Sequence, residues 1–139
     1  MEIVYFELNN WFPGRDYPNA EPFNTWCSDD LNLYFSNENF VKENKLCVVK
    51  TLVDMSVNWC ITAPKDWVEK NCPKLLSNES TSNTFITSGP NGKTTSERIF
   101  PYSQFLRFPD EDGYVYGQFG TKFKEYNEEN IGITFDEWI

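Results

Sequence analysis

The feature that most constrains this chain is a pair of β-rich runs, Leu46 to Val53 and Ser56 to Thr62, separated only by Asp54 and Met55. A two-residue link joins strands that pair antiparallel, so the gap sets the register as well as the direction. Val48 then faces Ile61, Lys50 faces Trp59 and Leu52 faces Val57. Because side chains alternate across a strand, Leu46, Val48, Leu52, Val57, Trp59 and Ile61 share one face, with Lys50 able to lie along the Trp59 ring. The opposite face sets Cys47, Val49, Thr51 and Val53 against Ser56, Asn58, Cys60 and Thr62. It is mixed in polarity and is expected to be partly covered. A hairpin alone is unstable in water, so these strands must join a larger sheet.

Directly after the hairpin, Thr62-Ala63-Pro64-Lys65-Asp66 has the features of a helix start, a hydroxyl to cap, a proline in the first turn and an early acid. A short helix from Pro64 to Asn71 is expected, stopped by Pro73, with Trp67, Val68 and Cys72 as its buried stripe. Glu2 to Leu8 alternates and predicts a strand. Asn9 to Pro22 holds three prolines, Gly14 and four Asn or Asp residues, the composition of a structured surface loop. Ser28-Asp29-Asp30 precedes an expected strand at Leu31 to Phe35, and Asn39 to Asn44 predicts a helical turn.

Between Ser77 and Ser96, fifteen of twenty residues are Ser, Thr, Asn or Gly, too polar to bury much area, and the segment is read as a mobile polar loop insertion at about 77–96. The alternative is a hairpin turning at Gly89-Pro90-Asn91-Gly92, with Phe85-Ile86 and Ile99-Phe100 on its two arms. Further strands are expected near Gln104 to Arg107, Tyr114 to Phe119, Lys122 to Tyr126 and Ile131 to Phe135. The fold class that follows is α+β, a mostly antiparallel sheet with one or two short helices packed on it, in a single domain over 1–139. With twelve Phe, seven Tyr and five Trp, the chain has enough ring area to build one core.

Charge narrows the function classes. The formal net charge is −9, and from Phe108 onward eight acids (Asp110, Glu111, Asp112, Glu125, Glu128, Glu129, Asp136 and Glu137) stand against Lys122 and Lys124, a local balance of −6. Such a field repels phosphate backbones and anionic lipid, so direct binding to nucleic acid or membrane is not expected. No basic leader and no membrane-spanning run is present, which predicts a cytoplasmic protein. Cys27, Cys47, Cys60 and Cys72 form no C-x-x-C pair, so no zinc or redox motif is encoded and free thiols are expected. By the same reasoning the Asn78-Glu79-Ser80 sequon is taken as accidental.

There is no histidine, which removes Ser-His and Cys-His activation together with most catalytic zinc sites. No phosphate-cradling glycine motif or nucleophile elbow is present. Asp110-Glu111-Asp112-Gly113 lacks the later ligands of a calcium loop and is read as a solvated turn. The expectation is a non-enzymatic protein without cofactor or metal. One set of residues has ligand-binding character: Trp11, Phe12, Arg15 and Tyr17, where rings and a guanidinium stand close together in a turn-rich stretch.

Three stretches, Leu8 to Pro18, Asp54 to Thr62 and Phe108 to Gly113, resemble small acidic proteins of unassigned function from bacteriophages and prophages of Gram-positive bacteria. That resemblance implies an anti-defence context inside a bacterial host cell. Small acidic phage proteins often inhibit host defences, CRISPR nucleases included, by offering carboxylates to a basic nucleic-acid channel as a nucleic acid mimic. The leading expectation is therefore an anti-CRISPR-like inhibitor that binds a basic host defence protein through Asp110, Glu111, Asp112, Glu125, Glu128, Glu129, Asp136 and Glu137. The alternative is a sponge that sequesters a nucleotide signal at the Trp11 to Tyr17 loop, in a monomer or across a homo-oligomer interface.

Overall fold

The structure is a computed structural model that describes residues 1–11, 37–53 and 56–136. Its centre is a five-stranded sheet in the order β6-β1-β3-β2-β7, built from β1 (Ile3–Trp11), β2 (Cys47–Val53), β3 (Ser56–Pro64), β6 (Leu106–Arg107) and β7 (Gly132–Asp136). β3 pairs antiparallel with both β1 and β2, and β6 pairs antiparallel with β1. Only β7 runs parallel to its neighbour, β2. The fold is thus a small α+β fold on a mostly antiparallel sheet. β2 and β3 pair in the register read from their two-residue gap, with Val48 opposite Ile61, Lys50 opposite Trp59 and Leu52 opposite Val57.

One face of the sheet makes the main core. Phe6 and Leu8 from β1, Val48 from β2, and Trp59, Ile61 and Ala63 from β3 are all buried there. Helix α1 (Glu38–Glu43) and helix α2 (Lys65–Asn71) close this face with Val41 and Val68, helped by Cys72 and Leu75 just after α2 and by Tyr102 from the 3₁₀ turn before β6. Asn37 caps α1 by accepting from the backbone N–H groups of Asn39 and Phe40. Helix α2 starts one residue later than expected. Pro64 occupies its cap position without a side-chain bond, because the Thr62 hydroxyl points to the other face of the sheet and donates to the Lys124 carbonyl at 3.0 Å. Leu52 lies in the apolar register but is 58% exposed.

Several sequence expectations change, and the strand expected at Gln104 to Arg107 is only Leu106–Arg107, after a 3₁₀ turn. The polar stretch read as a loop insertion is the alternative hairpin: β4 (Ser80–Gly89) and β5 (Gly92–Pro101) pair throughout and turn at Pro90-Asn91. Strand pairing uses backbone groups that Ser and Thr carry as well as Val does, so low hydropathy does not forbid it. The arms meet as Ser82 opposite Ile99 and Thr81 opposite Phe100, so Phe85-Ile86 does not face Ile99-Phe100. Secondly, the two strands expected at Tyr114 to Phe119 and Lys122 to Tyr126 are absent: that segment is irregular and holds one isolated bridge, Tyr116 with Lys122. The strand expected at Leu31 to Phe35 lies outside the described residues.

The irregular segment covers the second face of the sheet. Val115 and Phe123 pack on Val49 and Cys60, the Phe123 ring meets Tyr5 edge-on at 6.0 Å between centroids, and Thr121 shares a hydrogen bond of 3.1 Å with Thr51. The mixed face is therefore more than partly covered, because Thr51, Asn58 and Thr62 are fully buried. Cys47 and Cys60 are free thiols, whereas Cys72 is disulfide-bonded. The expectation of free thiols fails at Cys72.

Candidate functional site

Beneath the covering segment sits a buried carboxylate. Glu7 points from β1 into the second face, and its side chain is only 2% exposed. A buried charge must be paired and hydrogen-bonded to be tolerated. Here Arg107 of β6 donates to Oε1 at 2.8 Å, Asn58 of β3 donates to Oε2 at 3.0 Å, and the backbone N–H of Gln118 donates to both oxygens at 3.0 and 2.9 Å. The Cys60 thiol adds a longer contact of 3.6 Å to Oε2. Burial first, and then the Glu7 charge beside it, push the Cys60 thiol well above the ordinary thiol range, so it is held as the protonated donor.

Gly117 is what lets the chain come this close. A Cβ on it would lie 1.9 Å from Glu7 Oε2 and 3.1 Å from Cys60 Sγ. Chemically the cluster is an anchor. Every Glu7 lone pair that faces the protein is engaged, and the carboxylate joins β1, β3, β6 and the covering segment at one point.

The second feature is an open cleft of about 610 Å³ between the covering segment and the sheet, with Tyr114, Lys122, Lys124 and Glu125 on the segment side and Thr134 and Asp136 on β7. The alternation of β7 places Thr134 and Asp136 on the same face as Val49 and Thr51, their register partners in β2. Lys122 Nζ sits 4.0 Å from the centroid of the Tyr114 ring. No ion pair joins Lys122 or Lys124 to Glu125 or Asp136; the ion pairs among the described residues are Lys42 with Glu38, Lys65 with Glu2 and Glu69, and Arg107 with Glu7.

The acids singled out in the sequence gather at this cleft in part. Glu125 and Asp136 line it, and the Asp110 to Asp112 turn leads straight into Gly113 and Tyr114, which also line it. Asp110 has a local task. Its Oδ1 accepts from the N–H groups of Asp112 and Tyr114, each at 2.9 Å, in a turn that Gly113 completes with a φ of +86°. Glu111 and Asp112 are exposed. Glu128 and Glu129 form a single 3₁₀ turn capped by Asn127, and Asn130 of that turn donates to the Glu125 carbonyl at 2.8 Å. Glu137 lies outside the described residues.

Of the proposed loop site, Phe12, Arg15 and Tyr17 lie outside the described residues, and Trp11 is the last residue of β1. Sequence reasoning missed Glu7, Asn58 and Arg107, and did not see that Tyr114, Lys122 and Lys124 converge. An acid set between Phe6 and Leu8 inside an expected strand was the one available signal for Glu7. Among the described residues, no group of three or more Cys, Asp or Glu is placed to hold a metal ion, and no helix is long and apolar enough to cross a membrane. No protein-family model matches the chain, and neither a curated protein nor a solved structure is significantly similar to it.

Proposed function

We propose that this protein is a non-enzymatic inhibitor that binds a basic, nucleic-acid-binding partner through the acidic surface around the cleft mouth, in the manner of a phage protein acting on a host defence nuclease such as a CRISPR effector. The observation that carries this reading is that Glu111, Asp112, Glu125, Glu128, Glu129 and Asp136 make no ion pair among the described residues, while Lys42, Lys65 and Arg107 are paired elsewhere. Unpaired carboxylates concentrated in one stretch of an acidic protein steer a basic partner toward that stretch and set its orientation. The non-enzymatic part is supported by how the reactive groups are used. Glu7 is fully committed to its donors, and Cys60 is buried and held protonated.

The test is competition between this protein and DNA for a basic nuclease, followed across a salt series. Inhibition should weaken as salt rises, because the steering charges are exposed and screened. The triple variant Asp110→Asn, Glu111→Gln, Asp112→Asn should inhibit less and show a flatter salt dependence. Asn at 110 keeps the side-chain oxygen that holds the turn. Absence of inhibition for every basic nuclease tried, or inhibition by the triple variant equal to the parent at all salt concentrations, refutes the acidic-surface reading.

A further inference from the structure

We infer that the cleft beside β7 is a small-molecule site for a nucleoside 5′-monophosphate, which shares Glu125 and Asp136 with the acidic surface but does not depend on the reading above. The argument starts from charge. Two lysines and two carboxylate residues line one cleft of about 610 Å³ without pairing to each other. A volume of this order is typical of small-molecule sites. A purely anionic ligand would satisfy Lys122 and Lys124 but oppose Glu125 and Asp136, and a purely cationic one would do the reverse. A ligand that meets both has an anionic group at one end and hydrogen-bond donors, neutral or cationic, at the other.

Tyr114 narrows the class. It is 47% exposed at the cleft and already holds the Lys122 ammonium 4.0 Å from its ring centroid. A ring with an ammonium over one face suits a planar group carrying a phosphate, since the other face stacks the plane while the cation meets the charge. A nucleotide supplies each part. Its phosphate meets Lys122 and Lys124, its base lies on Tyr114, and its ribose hydroxyls or exocyclic amine donate to Asp136 or Glu125. The Thr134 hydroxyl, on the same face, adds a further donor or acceptor. The residue types expected of a nucleotide site in the Trp11 to Tyr17 stretch, a ring beside a cation, are thus met at another place in the fold.

Isothermal titration of the full chain with AMP, GMP, CMP and UMP tests this, with the matching nucleosides and inorganic phosphate as separate arms. At least one nucleotide should bind saturably and more tightly than both its nucleoside and phosphate. Lys122→Gln should weaken the nucleotide about tenfold and leave the nucleoside unchanged, because it removes only the contact to charge. Tyr114→Ala should weaken both about tenfold while Tyr114→Phe retains both, which separates loss of the ring from disturbance of the turn. The inference is overturned if no nucleotide binds saturably, if phosphate alone binds as tightly as the nucleotide, or if Lys122→Gln binds the nucleotide like the parent. None of these outcomes bears on inhibition of a basic nuclease, so the two readings fail separately.

Discussion

Gly117→Ala tests whether the buried carboxylate is the anchor that holds the covering segment down. The new Cβ would sit 1.9 Å from Glu7 Oε2, and ordinary contact begins near 3.4 Å, so one of the two must retreat by about 1.5 Å. Hydrogen bonds of 2.8 to 3.0 Å from Arg107, Asn58 and Gln118 do not survive a shift of that size. Disrupting the pairing of a buried charge costs on the order of 3 to 5 kcal/mol, and partial relaxation of an open-ended segment favours the lower end, about 3 kcal/mol. For a chain of this length that lowers Tm by roughly 10 °C. A double-mutant cycle isolates the cause. Glu7→Ala alone should destabilise by a similar amount, but in that background the oxygen that clashes is gone and Gly117→Ala should add less than about 1 kcal/mol. The assay is urea and thermal denaturation by circular dichroism on all four proteins. A Gly117→Ala protein that melts within about 2 °C of the parent, or costs that simply add in the double mutant, refutes the anchor.

Two further outcomes are expected. Trp59, buried among Val48, Ile61 and the helices, should cost about 3 to 5 kcal/mol when truncated to Ala, measured by urea denaturation; a loss under about 1 kcal/mol would mean that the ring is not in the core. Cys47 and Cys60 are buried with thiols pushed upward, chiefly by burial, so both should resist a thiol reagent at pH 8 in the native protein and react in denaturant, and native labelling at the rate of a free thiol would contradict their placement.

The central hairpin was legible because two short-range cues coincide there, a two-residue gap and side chains whose alternation matches on both strands. Helix α2 was legible from Pro64 and Pro73, which bracket it. The covering segment was misread for an instructive reason. Val115, Thr121 and Phe123 are spaced like inward residues of strands, but they face the sheet through side chains, while their backbones pair with each other at only one bridge. Alternation reports which residues turn inward and not what they turn toward. The polar hairpin β4–β5 came only as the second reading by the opposite effect, since its pairing rests on backbone groups that composition does not report. As for the candidate site, the acids were visible as a local charge imbalance. Glu7 and its partners were not, because nothing near Glu7 in the chain points to an arginine one hundred positions later.

The parallel pairing of β7 carries a consequence for how the molecule is made. Cys47 of β2 pairs with Gly132 of β7, and Glu7 takes its remaining donors from residues 107 and 118. The β2–β3 hairpin can assemble from neighbours in the chain and β1 is already made by then, but the parallel strand and the anchor both wait for residues synthesised later. Loop closures this long are slow compared with local pairing. During synthesis the polar, anchor-bearing face of β1, β2 and β3 is thus exposed with the Glu7 charge uncompensated. Stalling a ribosome before Arg107 should leave a chain that a protease cuts readily, and resistance should appear only once the strand at Gly132–Asp136 has cleared the exit tunnel.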